Sequence, residues 1–238
     1  MAANPTVVLV HGAFADASSF RALIPELLDS GFPVVAPAVP NRSLNGDAAY
    51  IASVVRQIEG DVVLVGHSYG GAVITVAGVE ENVRALVYLA GYALQQGESL
   101  GELQGGFPDS DLATALVQTT YPQPDGTQGT DVAVDPAKVH DVFAQDVDPE
   151  ITRILAVSQR PLAAAAFGEP AEAAAWTSKP SWGVVSSSDR TINPDVERFG
   201  YQRAGATVVE IDSSHLVMLS HPKESADVIR EAARATER

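Results

Sequence analysis

The chemistry of this sequence centres on one short motif, Gly-His-Ser-Tyr-Gly at residues 66–70. An unbroken apolar run at 62–65 precedes the motif and predicts a strand buried on both faces, and an apolar helical pattern follows it. A serine between a strand and a helix, with a glycine two residues away on each side, is typical of a nucleophile elbow. Such a turn strains the backbone at the serine and requires small residues around it. We therefore expect Ser68 to present its hydroxyl above the edge of a sheet.

A serine hydroxyl is a weak nucleophile at neutral pH until a base removes its proton. The expected partners are a carboxylate and then an imidazole, both at the carboxyl ends of later strands. Asp189 follows a strand predicted at 182–185, and His215 follows a strand predicted at 207–211. Asp212 is an alternative acid, but a residue three positions before the histidine on the same turn would not easily reach its Nδ1 and stay buried. Asp189 is therefore the preferred acid, and His215 the general base.

The other four histidines fit other roles. His11 and His67 lie in tight turns that flank the expected site, which indicates a structural or supporting role. His140 lies in the middle of the chain, where it could face solvent or substrate. His221 precedes a proline at the predicted start of a helix and is interpreted as structural.

Strands and helices alternate along most of the chain, which predicts a parallel sheet with right-handed crossovers. Helices are predicted after Asp16, from a cap at Asp47, and after the serine motif. Two more follow late in the chain. The strands are predicted at 6–10, 33–39, 62–65, 83–90, 182–185 and 207–211, and the late helices at 194–204 and 222–235.

The alternation is interrupted between about residues 97 and 179. This segment has proline- and glycine-rich turns, alanine-rich pieces and Asp-Pro helix starts at 135–136 and 148–149, but no convincing buried strand. Its apolar positions are too numerous for a linker. We expect a helical cap inserted over the sheet, within one domain that spans 1–238.

Composition narrows the classes of function. The chain has 238 residues, a net charge of −15 and no cysteine, and 46% of its residues are hydrophobic. The strong negative charge argues against a nucleic acid or an anionic membrane as partner, and the lack of cysteine excludes disulfides and thiolate metal sites. The first residues lack the basic and apolar regions of a signal peptide, and no apolar run approaches a membrane span. We expect a cytoplasmic protein; a homodimer is compatible with the sequence.

The motifs together resemble the α/β-hydrolase superfamily. The similarity is carried by Val-Val-Leu-Val-His-Gly-Ala at 7–13, by the serine motif, and by the short polar segments at 187–189 and 213–215. More narrowly, the sequence is similar to plant methyl esterases, salicylate-binding esterases, hydroxynitrile lyases and small bacterial esterases. The resemblance implies an α/β-hydrolase fold with a mostly parallel six-stranded sheet, flanked by helices.

The resemblance also implies a function and a set of site residues. It implies a serine esterase acting on small or medium, mostly apolar carboxylic esters, with a triad of Ser68, His215 and Asp189. Backbone amides of Ala13 and Tyr69 would form the oxyanion hole. It implies no cofactor and no metal, and a small-molecule ester as partner.

Other functions are compatible with parts of this pattern. Lactones and carbamates would use the same residues. Hydroxynitrile lyases of this group carry Thr where this chain has Gly12, and Lys where it has Leu216, so the cation that would hold cyanide is missing. Dehalogenases and epoxide hydrolases use Asp in place of Ser68. A non-catalytic receptor for a small ligand would not need a complete set of triad residues.

Overall fold

The structure is a computed structural model, and it describes residues 4–236. The predictions made for the N-terminus and for the two ends of the domain concern residues that lie partly outside this range. In chain order, the strands are β1 (Thr6–Val10), β2 (Val34–Val35), β3 (Val62–His67), β4 (Val83–Leu89), β5 (Leu116–Pro122), β6 (Gln128–Val134), β7 (Leu162–Ala163), β8 (Ser181–Ser186) and β9 (Thr207–Ile211). The α-helices are α1 (Leu23–Leu28), α2 (Leu44–Arg56), α3 (Tyr69–Ala77), α4 (Leu100–Gly105), α5 (Val139–Phe143), α6 (Pro149–Val157), α7 (Pro194–Arg203), α8 (Val217–Ser220) and α9 (Pro222–Ala235).

The central sheet is the predicted one. It has six strands in the order β2-β1-β3-β4-β8-β9, and every neighbouring pair is parallel. All residues of β3 and β8 are buried, as expected for strands covered by helices on both faces. Because the strands are parallel, the loops after β1, β3, β8 and β9 all leave from one edge of the sheet. Across residues 4–236, no helix is both long and apolar enough to cross a bilayer.

Two predicted helix starts are corrected by the structure. Asp16 caps a short 3-10 helix, and α1 begins only at Leu23, two residues before Pro25. The prediction that Asp47 caps α2 is wrong, because Ser43 is the N-cap and accepts a hydrogen bond from the Gly46 amide. Asp47 lies one turn further on and is buried.

The inserted segment differs from the predicted all-helical cap. It contains a three-stranded antiparallel sheet, β5-β6-β7, in addition to α4, α5 and α6. Most of β5 is exposed, so its sequence lacks the apolar alternation by which a half-buried strand is predicted. The prediction of a helix at 149 is confirmed, while Asp135-Pro136 forms a turn before α5. The alanine-rich pieces form only short 3-10 helices, at Ala164–Phe167 and Ala175–Thr177.

The insertion is joined to the main body around the start of α2. The Glu169 carboxylate accepts hydrogen bonds from the Leu44 amide at 2.6 Å and the Asn45 side chain at 3.0 Å. Arg42, two residues before α2, forms a 2.8 Å ion pair with Asp131 of β6 and lies over the ring of Tyr121. A residue of the insertion therefore satisfies amides that the first turn of a body helix leaves unpaired.

Candidate active site

Ser68 is at the turn between β3 and α3, and its backbone is strained. Its φ of 54° and ψ of −124° place a residue with a Cβ in a region that favours glycine. The glycines at 66 and 70 are required for the predicted reason. A Cβ on Gly66 would lie 2.4 Å from the Gly70 carbonyl oxygen, and one on Gly70 would lie 2.2 Å from that of Val10. Ser68 is 6% exposed at the carboxyl edge of the sheet.

Asp189 and His215 lie together at the same edge of the sheet, and both are buried. The Nδ1 of His215 and the Oδ2 of Asp189 are 2.5 Å apart. The other oxygen, Oδ1, accepts hydrogen bonds from the amides of Thr191 at 2.6 Å and Ile192 at 3.0 Å. These donors favour the charged carboxylate, so Nδ1 carries the imidazole proton. Asp212, the alternative acid, is exposed and accepts a hydrogen bond from Ser188 at 2.6 Å.

With the proton on Nδ1, the opposite nitrogen of His215 can accept one. Nε2 is buried and has no hydrogen-bond partner in the described part of the chain, Ser68 included. The ring packs against that of His67, with centroids 4.6 Å apart, and against that of Phe143, at 5.0 Å. Because His67 directly precedes Ser68, the imidazole of His215 lies beside the serine turn with a free acceptor.

His67 and His11 support this arrangement as neutral rings. His67 Nε2 donates to the His215 carbonyl oxygen at 2.9 Å, and burial lowers the pKa of His67 well below its ordinary value, with the nearby His215 adding to the effect. His11 Nε2 accepts from the Val39 amide at 2.9 Å, so its Nδ1 donates to the Gly12 carbonyl oxygen; burial also lowers the pKa of His11. Both histidines thus hold the backbone around the site.

The loop after β1 packs directly on the serine turn. A Cβ on Gly12 would lie 2.7 Å from the Cβ of Ser68 and 3.0 Å from the His67 carbonyl oxygen. Ala13 is the next residue, and Tyr69 is the first residue of α3. Between residues 4 and 236, neither the Ala13 amide nor the Tyr69 amide donates to a protein acceptor. The Tyr69 side chain is held separately, because its hydroxyl donates to Asp47 at 2.8 Å.

A narrow apolar cavity borders this site on the side of the insertion. It encloses about 280 Å³ of space between atoms, its mouth included. Phe143, which touches the His215 ring, and Leu216, the next residue after His215, are both in its wall. The full lining is Phe14, Ala15, Ser19, Val134, Val139, Phe143, Leu155, Gln159 and Leu216, with no charged side chain among them.

The remaining histidines lie elsewhere. His140 Nδ1 is 3.2 Å from the Thr152 hydroxyl, between α5 and α6 of the insertion. His221 is at the start of α9, with Nδ1 2.9 Å from the Ser220 hydroxyl. Over the described stretch 4–236, no three His, Asp or Glu side chains are grouped so that they could hold a metal ion.

Two acidic residues of the site were missed by sequence reasoning. Asp146, after α5, accepts a hydrogen bond from the Ser214 amide at 2.9 Å and so holds the loop that carries His215. Nothing in its local sequence indicates this contact. Glu197 in α7 is 1% exposed and accepts from the Ser186 amide at 3.0 Å. It lies one helical turn before the buried Tyr201, and that spacing could have placed it on the inner face of α7.

A strained serine at a strand-to-helix turn and a buried Asp–His pair, all at the carboxyl edge of a parallel sheet, define a class of α/β enzymes with a nucleophile elbow. The sequence model of the alpha/beta hydrolase family matches residues 7–228, and the chain belongs to this family. This confirms the resemblance inferred from the motifs and the predicted fold.

Individual relatives agree with the family. A probable hydrolase, R7, from Phoma sp. is 30% identical over 97% of this chain and 98% of its own length. A carbendazim hydrolyzing esterase from Nocardioides sp. is 36% identical over 39% of this chain and 44% of that protein. The crystal structure of polyneuridine aldehyde esterase superimposes with a TM-score of 0.81 at 21% identity, covering 96% of this chain and 98% of that one. The family and these hydrolases support the predicted enzyme class, a carboxylic ester hydrolase.

Proposed function

We propose that the protein is a serine esterase that cleaves small, mostly apolar carboxylic esters through Ser68, His215 and Asp189. The observation that carries the proposal is the pair of buried side chains beside the strained serine. Asp189 fixes the proton of His215 on Nδ1, which leaves Nε2 as a base with no competing partner. A surface histidine or a structural ion pair would not need a free, buried acceptor next to a serine turn.

The reaction would follow the order used by serine esterases. His215 Nε2 takes the proton of the Ser68 hydroxyl as the oxygen attacks the ester carbonyl carbon. This step requires the two atoms to approach, and catalytic hydrogen bonds commonly tighten only in the complex with substrate. The imidazolium then gives its proton to the leaving alcohol, and a water molecule deacylates Ser68 with His215 again as base.

Charge that develops on the carbonyl oxygen would be stabilised by the amides of Ala13 and Tyr69. Their lack of protein acceptors among residues 4–236 supports this role, since each is free to donate to the substrate. Tyr69 also begins α3, where the helix dipole is positive. Donors of this kind are each worth about 3–4 kcal/mol in the transition state.

The apolar cavity supports a substrate with a small apolar acyl or alkyl group. The space is narrow and holds little more than a water-sized group as it stands, so it suits a small substituent and not a long chain. Ser19 and Gln159 are the polar side chains of its wall, so a charged group would enter without a partner. The same wall argues against a hydroxynitrile lyase, since Leu216 is buried where a cation would hold cyanide.

The test is replacement of Ser68. Ser68→Ala is expected to lower kcat on p-nitrophenyl acetate by about 10⁴-fold or more and to abolish labelling by a fluorophosphonate. Ser225→Ala, which removes a buried hydroxyl in α9, is the matched control and should retain both. Near-normal turnover by pure Ser68→Ala protein would contradict the proposal. A non-catalytic receptor would show neither labelling nor turnover even in the wild type.

The scissile group is tested separately. Initial rates on a matched set of open-chain esters, lactones and carbamates of similar acyl size would rank the three substrate classes, because all three require Ser68. The proposal predicts the highest kcat/KM for open-chain esters with short apolar acyl groups. A preference for lactones or carbamates would support the same mechanism but contradict the proposed substrate class.

A further inference from the structure

A second buried carboxyl group lies close to Asp189. Glu197 projects from the inner face of α7, and Ser186 joins it to the Asp189 turn, because the Ser186 carbonyl oxygen accepts from the Asp189 amide at 3.1 Å. The two carboxyl groups lie within hydrogen-bond reach of each other. The Oε2 of Glu197 accepts from the Ser186 amide at 3.0 Å, whereas its Oε1 is buried with no donor in the part of the chain that the structure describes. The proposed mechanism gives this group no task.

Two adjacent buried carboxylates cannot both be charged without a large cost, so one of them holds a proton. The numbers of donors identify which one. Asp189 accepts from the amides of Thr191 and Ile192 and from His215, three donors that stabilise the ionised form. Glu197 accepts from the single Ser186 amide. The proton therefore belongs on Glu197.

We propose that Glu197 is a positioning residue: a neutral carboxylic acid that donates its proton to Asp189 and fixes the orientation of the carboxylate that holds His215. This role rests on the proposed function. An ionised carboxylate has about four acceptor positions. The two amides and His215 occupy three of them, and Glu197 supplies the fourth donor. The carboxylate of Asp189 is then held on every side and cannot rotate away from the imidazole.

The surroundings of Glu197 agree with a neutral group. Burial raises the pKa of Glu197 well above its ordinary value, and the charge of Asp189 raises it further. Arg198 acts in the opposite direction, but its guanidinium is exposed and binds Glu210 and Asp195. The phenols of Tyr92 and Tyr201 lie near both carboxyl groups, and the Tyr92 hydroxyl donates to Gln104 at 2.8 Å. Burial raises the pKa of each phenol, so both remain uncharged.

The first measurement needs no turnover, so it remains readable if Ser68 is not the nucleophile. Infrared difference spectra of the wild type against Glu197→Gln, near neutral pH, should show a protonated carboxyl C=O band that the variant lacks. Glu210→Gln, which alters an exposed carboxylate on β9, is the control and should leave the band in place. A wild type without this band would overturn the proposal.

The second measurement is the NMR titration of the His215 imidazole together with the pH profile of kcat/KM. The amide of Glu197→Gln can still donate to Asp189 and accept from Ser186, so it should rescue both the wild-type titration midpoint and kcat to within about 3-fold. If Glu197 were charged, the same change would remove a negative charge and lower the midpoint by about one pH unit. That shift would refute a neutral Glu197.

Glu197→Leu keeps the bulk and removes the donor. Asp189 then loses one hydrogen-bond donor, and its negative charge acts more strongly on the imidazole. The imidazole should therefore hold its proton more tightly, and the acid limb of the pH profile of kcat/KM should move to higher pH. The kcat should fall about 10-fold while KM changes less than about 2-fold. A folded Glu197→Leu protein with the wild-type profile and kcat would refute the positioning role. If the Leu variant does not fold, the Gln variant and the infrared band still test whether Glu197 is a neutral donor to Asp189.

Discussion

The replacement Asp189→Asn tests the tautomer argument with little change in shape. The amide oxygen can still accept from the backbone amides of Thr191 and Ile192, which hold Oδ1 in the native site. The amide nitrogen then faces His215 Nδ1 and cannot accept its proton. We expect the imidazole proton to move to Nε2, which removes the acceptor that Ser68 requires.

The expected loss is large. A wrong imidazole tautomer costs about 10⁴-fold in kcat in a serine protease with the same constellation. Since each factor of ten is about 1.36 kcal/mol, this corresponds to about 5.4 kcal/mol of transition-state stabilisation. Stability should change much less, because the two backbone hydrogen bonds survive in the variant.

The assay is the initial rate on p-nitrophenyl acetate near neutral pH, with thermal unfolding measured on the same samples. Asp212→Asn is the matched control, because Asp212 is exposed and contacts Ser188 at 2.6 Å instead of His215. It should retain wild-type kcat. The reasoning is refuted if Asp189→Asn keeps more than about a tenth of the wild-type kcat, or if Asp212→Asn is equally damaging.

Three further predictions follow from the packing and charges of the site. Gly12→Ala would place a Cβ 2.7 Å from that of Ser68, so kcat/KM should fall about 100-fold with unchanged circular dichroism; normal kinetics would contradict this contact. Phe143→Ala removes a ring that lies against His215 and lines the cavity, so it should cost about 3–5 kcal/mol in urea unfolding and raise the relative rate on longer acyl esters. The raised pKa of Glu197 means that the native state binds a proton that the unfolded state loses, so wild-type stability should fall as pH rises above the unfolded value of about 4.3, by at most about 1.4 kcal/mol per pH unit. Glu197→Gln should lack this pH-dependent contribution to stability. If the free energy of unfolding, measured by urea melts, changed equally with pH in both proteins, the raised pKa of Glu197 would be excluded.

The central sheet could be predicted because its strands are buried on both faces. A strand that is buried on both faces requires an almost uninterrupted run of apolar residues, as in β3 at Val62–His67. The serine turn was predictable for a related reason, since Gly66 and Gly70 are imposed by backbone contacts that no side chain tolerates. The proximity of Asp189 and His215 could be expected because polar residues after parallel strands converge at one edge.

What the sequence could not indicate depends on contacts between distant segments. The strand β5 is mostly exposed, so no apolar periodicity marks it, and its pairing with β6 makes it a strand. Asp47 has the residue type of a helix cap, yet Ser43 takes that position and Asp47 binds the Tyr69 hydroxyl. Glu197 belongs to a helix and Asp189 to the loop before it, and the local sequence does not indicate that their side chains meet.

The ion pair between Arg42 and Asp131 and the hydrogen bonds from the start of α2 to Glu169 limit how this enzyme can be altered. A graft that exchanges residues 97–179 for the insertion of a relative would leave the Leu44 amide without its carboxylate. Because α2 packs on α3, whose first residue is Tyr69, the disturbance would reach the serine turn. Chimeras meant to change specificity should therefore exchange residues 39–47 together with the insertion.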